Sequence, residues 1–252
     1  MNGTSVDFGT AVRDLAWSPN GAKAAFVDGY GDLVTTNPDG SGRVVAARHQ
    51  GGQVFSHPTW QVAPADPQYR IPAKNNLVFT VGHGSAAQLE RVPANGANAT
   101  PTVLSLGNYS GPDSVALPQT GNVWASGGGG NSVGRMVYAN STDGNVYIRD
   151  EYLRQQGGAI TPGSEPALSP DGGEVVFVRS VAGHDHLFAA HLDGKAPTDL
   201  TPKATTDYTE PAWSPDGTTL AVRTPAGIAT LPADGSAAPK HISDFAGLPA
   251  YR

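Results

Sequence analysis

The hydrophobic residues of this chain fall in short runs of roughly four to six positions, rich in Val, Phe, Leu, Ile and Tyr, between clusters of Gly, Pro, Asp and Asn. Leu77-Val-Phe-Thr-Val81 and Val175-Val-Phe-Val178 are examples. Their almost unbroken apolar character predicts strands covered on both faces, and the clusters between them supply the backbone angles that tight turns require.

The pattern repeats. Near the C-terminal end runs Glu210-Pro-Ala-Trp-Ser-Pro-Asp-Gly217, then the apolar Thr219-Leu-Ala-Val-Arg223, then Gly227-Ile-Ala-Thr-Leu-Pro-Ala-Asp-Gly235. The same order occurs as Glu165-Pro-Ala-Leu-Ser-Pro-Asp-Gly172, Glu174-Val-Val-Phe-Val-Arg179 and His186-Leu-Phe-Ala-Ala-His-Leu-Asp-Gly194. It occurs again as Asp14-Leu-Ala-Trp-Ser-Pro-Asn-Gly21, Lys23-Ala-Ala-Phe-Val27 and Asp32-Leu-Val-Thr-Thr-Asn-Pro-Asp-Gly40. Two degenerate copies lie between, one opening at His57-Pro-Thr-Trp60 and one at Ser114-Val-Ala-Leu-Pro118, with insertions at Gln61 to Asn76 and Gly127 to Arg135.

The opening residues Asp14, His57, Ser114, Glu165 and Glu210 are 43, 57, 51 and 45 residues apart. A period of roughly 40–50 residues built from strands is that of a propeller blade. A four-stranded sheet cannot bury both faces alone, and radial stacking gives each sheet two neighbours. A β-sandwich would show short strands too, but not one phrase repeated in one order. The expected fold is therefore an all-β, single-domain β-propeller spanning 1–252, with blades at about 11–48, 57–106, 112–161, 164–202 and 209–244. Leu248-Pro-Ala-Tyr251 reads as the opening of a further copy, so 245–252 is expected to be the stub of another blade, with six-bladed closure as the alternative.

The phrase Pro-Ala-Trp-Ser-Pro-Asp-Gly, followed by an apolar strand and a strand ending in Asp-Gly, resembles the repeat of TolB-like propellers. That repeat also occurs in propeller domains of prolyl-oligopeptidase relatives and in some actinobacterial lipoproteins. The resemblance covers about residues 11 to 251 and implies a propeller, often extracytoplasmic, that binds proteins, peptides or saccharides. Catalysis in such families usually belongs to a separate domain, for which this chain has no room. The two central copies lack Ser-Pro-Asp-Gly and depart from the family pattern there.

Composition narrows the partners. The net charge of −6 and the absence of a Lys/Arg cluster speak against nucleic acid. No apolar run approaches a membrane span, and Met1 to Asp7 lack the regions of a signal peptide, so a soluble chain is expected, with an extracytoplasmic domain stripped of its signal reading the same way. The absence of cysteine excludes disulfides, thiolate metal sites and cysteine nucleophiles. A monomer is the expectation.

Inner strands line a propeller's channel, so the opening residues should gather at one mouth. Asp14, His57, Ser114, Glu165 and Glu210 are accordingly the candidate ligand-binding set, with Leu248 from the stub beside them. Three carboxylates and an imidazole suit a divalent cation, an amine or sugar hydroxyls, and they equally suit a ring of polar strand ends holding water. His184 and His186 form a His-x-His pair able to chelate a metal, but they fall where a loop is expected. Gly130-Asn-Ser-Val-Gly134 matches the serine-hydrolase elbow in letters only, because no strand precedes and no helix follows it, and the run Gly127 to Gly130 fails the dinucleotide fingerprint for lack of a helix. Trp17, Trp60 and Trp213 recur at one repeat position and read as packing, whereas Trp124 stands outside that register.

No catalytic set emerges and no cofactor is required. The expected function is non-enzymatic binding of a protein partner or a small polar or saccharide ligand at the channel mouth. The alternative is a carbohydrate- or peptide-active enzyme using Asp14, Glu165 and Glu210 around His57, since paired carboxylates roughly 5–10 Å apart suffice for glycoside chemistry.

Overall fold

The computed structural model describes residues 5–83, 86–110, 115–127, 134–151, 155–192 and 195–252. Among them there are 21 strands and no helix. The first blade is β1 (Val12–Trp17), β2 (Ala24–Asp28), β3 (Leu33–Thr36) and β4 (Val44–Ala47). The second is β5 (Gln53–Ala63), β6 (Lys74–His83), β7 (Ala86–Pro93) and β8 (Thr102–Val103). The third has β9 (Asn108–Tyr109), β10 (Asn122–Gly127), β11 (Met136–Asn140), β12 (Asn145–Arg149) and β13 (Gln156–Pro162). The fourth is β14 (Ser164–Leu168), β15 (Glu174–Val181), β16 (His184–His191) and β17 (Thr198–Asp199). The fifth is β18 (Thr209–Trp213), β19 (Thr219–Thr224), β20 (Gly227–Pro232) and β21 (Lys240–Ser243).

Each blade is an antiparallel meander in chain order, and β9 adds a fifth, parallel strand to the outer edge of blade three. This is the five-bladed all-β propeller that the repeat predicts. The insertion at 61–76 lengthens one hairpin: β5 and β6 stay paired from Trp60–Leu77 out to Ala63–Lys74.

Blade three departs from the sequence reading. Its inner strand is β10, eight residues beyond Ser114. In the segment taken as the first strand, Ala116 makes only an isolated bridge to Asn108. Pro118 has no N–H to give a ladder, and its carbonyl instead accepts the buried Asn122 amide at 2.8 Å. The Asn122 side-chain Oδ1 in turn accepts Asn140 Nδ2 at 2.9 Å, which ties β10 to β11. The expected stub also differs: residues 245–252 form no strand.

The repeated turn has a specific chemistry. Ser169 Oγ donates to the Asp171 carboxylate at 2.6 Å and accepts the Glu174 N–H at 2.9 Å, while Gly172 N–H donates to the Ser169 carbonyl at 2.9 Å. Ser214, Asp216, Gly217 and Thr219 make the same set of bonds, and Ser18, Asn20, Gly21 and Lys23 repeat it with Asn in place of Asp. Gly172 and Gly217 hold φ of +73° and +70°, which Gly adopts without steric cost.

Apolar strands meet between blades. Ala25, Val27 and Leu33 pack with Phe55, Trp60, Leu77 and Phe79 between blades one and two. Val78 and Leu89 meet Met136 and Tyr138 between two and three. Val137 and Val146 meet Val175 and Phe177 between three and four, and Val176 and Leu187 meet Leu220 and Val222 between four and five. Tryptophans pin two of these junctions: Trp60 Nε1 donates to the Ala16 carbonyl at 3.2 Å, and Trp213 Nε1 to that of Ala167 at 2.9 Å, each reaching the preceding blade.

Candidate functional site: the channel mouth

Every inner strand carries a bulge at one place. Its pairing with the second strand shifts between Arg13 and Ala16, Ser56 and Thr59, Val123 and Ser126, Ser164 and Ala167, and Thr209 and Ala212. The first bulged residue in each blade is left-handed: Asp14 (φ +57°), His57 (+49°), Trp124 (+52°), Glu165 (+50°) and Glu210 (+54°). For a residue with a Cβ this conformation costs about 1–2 kcal/mol, and five such costs in register mark an imposed geometry. The bulge sets these five residues at equivalent positions of their inner strands, and all but Glu165 line one cavity.

Four of the five are candidates read from the sequence. The fifth is Trp124, so it does belong to the repeat register, at the opening residue rather than at the position of the other tryptophans. Ser114, named for this place, lies outside the described residues. The spacing of 41 from Trp124 to Glu165, close to the 43 and 45 of the clear repeats, is the sequence signal that points to Trp124.

A cavity of about 140 Å³ opens at this end, lined by Asp14, His57, Trp124, Glu210, Leu248 and Pro249 among others. The His57 and Trp124 rings stack at 3.8 Å between centroids with 29° between planes. Burial favours the neutral His57 imidazole and holds it below its ordinary pKa, against the nearby Asp14 carboxylate, which favours the charged ring. Asp14 Oδ2 accepts the His57 backbone N–H at 3.0 Å. Between blades four and five, Glu165 Oε2 accepts the Glu210 N–H at 2.7 Å, so there too a carboxylate of one blade caps the bulge of the next. At Trp124 the same N–H donates to Thr80 Oγ1 at 3.1 Å, because imidazole in the preceding slot does not take it.

The carboxylates at this end are largely covered and have arginines beside them. Burial raises the Glu165 carboxyl pKa, and nearby Glu210 and Asp185 raise it further. Burial also raises that of Glu210, with Arg223 opposing and Asp14 adding to the rise. Arg223 Nη1 reaches the two Glu210 oxygens at 3.0 and 3.3 Å, and Arg13 Nε stands 3.9 Å from Asp14. Both guanidiniums are about half exposed, so solvent screens them while the carboxylates beneath stay largely covered.

The metal readings find no ligand set. Among the described residues no three His, Asp or Glu side chains gather as a metal site would need. His184 and His186 lie on β16 rather than in a loop, and they face separate carboxylates: Nδ1 of His184 is 3.3 Å from Asp207, and Nδ1 of His186 is 2.9 Å from Asp199. Most of Gly130-Asn-Ser-Val-Gly134 lies outside the described residues, and its last residue precedes strand β11.

A channel propeller with an acidic, aromatic mouth is the class these features define. No family model and no curated protein matches the chain. Solved structures do. A structure described as a TolB of Agrobacterium tumefaciens aligns with TM-score 0.66 at 15% identity, over 90% of this chain and 79% of that one. TolB from Acinetobacter baumannii aligns with TM-score 0.62 at 16% identity, over 90% of this chain and 53% of that one, so this chain spans about half its length. A chain of a nidogen/laminin complex aligns with TM-score 0.60 at 10% identity, over 88% and 78%. At these identities the likeness shows a TolB-like propeller fold. No helix among the described residues is long and apolar enough to cross a membrane.

Proposed function

We propose that this chain is a binding propeller without catalytic activity, taking a protein partner or small polar ligand at the channel mouth, and that the group it seats there is cationic. One observation carries the reading: Asp14 and Glu210 line one cavity with the stacked rings of His57 and Trp124. Carboxylates supply charge-assisted hydrogen bonds to an ammonium or guanidinium, and the indole face favours the same cation. The neighbour named for a nidogen/laminin complex supports a protein partner, because a propeller of this shape takes part in such a complex. Enzymatic use of the carboxylates is disfavoured by their existing work. Asp14 and Glu165 each hold a backbone N–H of the next blade, and Glu210 holds Arg223.

The test is calorimetric titration of the whole chain with two short extended peptides that differ only in Lys against Glu, with tryptophan fluorescence followed in parallel. The lysine peptide binds, quenches fluorescence and weakens with salt. Asp14→Asn combined with Glu210→Gln lowers its affinity at least tenfold. Equal binding of the two peptides, or no effect of the double variant, would overturn the reading.

A further inference from the structure

We infer that Arg149, with Lys74 and Arg91, forms a binding site for a small oxyanion between blades two and three. Arg149 and Tyr138 stand on the face of blade three that meets blade two, since Arg149 lies opposite Met136 and Tyr138 opposite Tyr147. Beside the apolar cluster of that junction the lining turns polar. Gln61 Nε2 donates to Glu151 Oε1 at 3.0 Å and Gln61 Oε1 accepts Asn76 Nδ2 at 2.9 Å, so both ends of a buried amide are fixed. Arg149 Nη1 donates to the same Glu151 oxygen at 2.5 Å. Lys74 Nζ stands 3.5 Å from Glu151 Oε2, and Arg91 Nη1 stands 4.0 Å from Oε1. Burial works against the Glu151 charge, yet Arg149, Gln61 and Lys74 hold its pKa below the ordinary glutamate value, so it is an anion. Three cations thus share one carboxylate. Among the described residues no other carboxylate pairs with any of them.

The excess charge has a direction. Among the described residues Arg149 Nε and Nη2 have no hydrogen-bond partner, in a side chain with no exposed surface. These two donors lie along one edge of the planar guanidinium, the fork that takes two oxygens of a carboxylate or phosphate side by side. Glu151 is bonded through Nη1 and does not engage that edge. Tyr138 Oη, on the same face of blade three, is another buried group without a partner among the described residues, and burial raises its pKa, so it keeps a proton to donate. A buried guanidinium with two donors unbonded is costly, and an oxyanion on the fork removes that cost while cancelling charge. Water would satisfy the donors and leave the charge. The approach runs past Lys74 and Arg91, whose flexible side chains are 16% and 35% exposed, so an anion from solvent meets these two cations first. The site stands apart from the channel mouth: the Gln61–Asn76 pair lies beyond Trp60 on β5, whereas the bulge lies between Ser56 and Thr59. Nothing in it depends on the cationic group proposed for the mouth.

Calorimetric titration of the whole chain with sodium phosphate, and separately with sodium acetate, at constant ionic strength in chloride tests the site. Saturable binding of one equivalent is expected. Phosphate alone would assign a tetrahedral oxyanion, acetate alone a planar carboxylate, and both a fork that takes either. Arg149→Lys keeps the charge and loses the fork, and should weaken binding at least tenfold. Arg91→Gln, at a part-exposed position that folding tolerates, should weaken it at least threefold. Glu151→Gln keeps an oxygen for Gln61 and removes the competing negative charge, so affinity should rise at least threefold. The bound anion should also raise the melting midpoint of Glu151→Gln by more than that of wild type, whereas a purely structural ion pair would leave this variant with a lowered midpoint that neither anion restores. A wild-type chain that binds neither anion overturns the site, and so does binding that Arg149→Lys and Arg91→Gln both leave unchanged.

Discussion

Comparing Asp14→Gly with Glu210→Gly isolates what the bulge carboxylates contribute. Both residues are left-handed, at φ of +57° and +54°. Glycine removes a conformational cost of about 1–2 kcal/mol at either place and adds about 0.4–1 kcal/mol of entropy to the unfolded chain, so both effects cancel in the comparison. The side-chain bonds remain. Asp14 accepts the His57 N–H at 3.0 Å with a carboxylate only 9% exposed, and losing a hydrogen bond to a charged group costs about 1.5–3 kcal/mol. Glu210 holds Arg223, whose side chain is 44% exposed, and a pair so open to solvent is worth about 0–1 kcal/mol. Asp14→Gly should therefore be less stable than Glu210→Gly by about 1–2 kcal/mol. At about 2–4 °C per kcal/mol for a chain of this size, its melting midpoint by scanning calorimetry should lie about 2–8 °C lower. Asp14→Asn keeps an acceptor oxygen and tolerates the left-handed backbone, so it should melt close to wild type. A Glu210→Gly protein that melts as low as Asp14→Gly would refute the carboxylate-to-amide ladder as a source of stability.

Two further outcomes follow from the same geometry. Burial and like charge raise the Glu165 carboxyl pKa, so the folded protein holds this proton to higher pH than the unfolded chain; stability from this group is complete below the unfolded pKa and is lost as pH rises through the folded one. Glu165→Gln keeps an oxygen for the Glu210 N–H, and its melting midpoint should rise above wild type as pH climbs past the ordinary glutamate range, with the gap closing in acid; a gap independent of pH would contradict the assignment. Trp60→Phe and Trp213→Phe each leave an inner-strand carbonyl without its indole donor and should cost about 1–3 kcal/mol in urea unfolding. Trp17→Phe should cost less, since its ring meets the Arg252 guanidinium and, among the described residues, its indole N–H reaches no carbonyl of another blade; equal losses at all three positions would count against the tryptophan pins.

The fold was legible because the repeat is written in residues whose chemistry is local. Ser, Asp and Gly in Ser-Pro-Asp-Gly bond one another within a few positions, so the turn survives wherever those letters stand. The apolar strands after it are continuous because both their faces are covered, at four junctions by a neighbouring blade. Blade three lost its letters and with them its legibility: Ser114 to Pro118 looks like an opening phrase, but its proline and the Asn122–Asn140 amide pair shift the inner strand to Asn122. The last phrase failed differently: Leu248-Pro-Ala-Tyr251 has the letters of an inner strand but forms no strand.

The site was legible in position and not in content, for a physical reason. The bulge fixes a backbone angle, and nothing in that angle selects a side chain; five copies accordingly hold Asp, His, Trp, Glu and Glu at one value of φ. What constrains each residue is the blade that follows it. Where the slot holds a carboxylate it can accept the next bulge's N–H, as Asp14 and Glu165 do. Where it holds His57 the next N–H turns to Thr80, and Trp124 is left to stack on the imidazole. A single substitution in one slot therefore alters both the bonding of the next blade and the lining of the mouth. The repeat that builds the ring thus leaves free, in each copy, the residue at which a partner can be chosen.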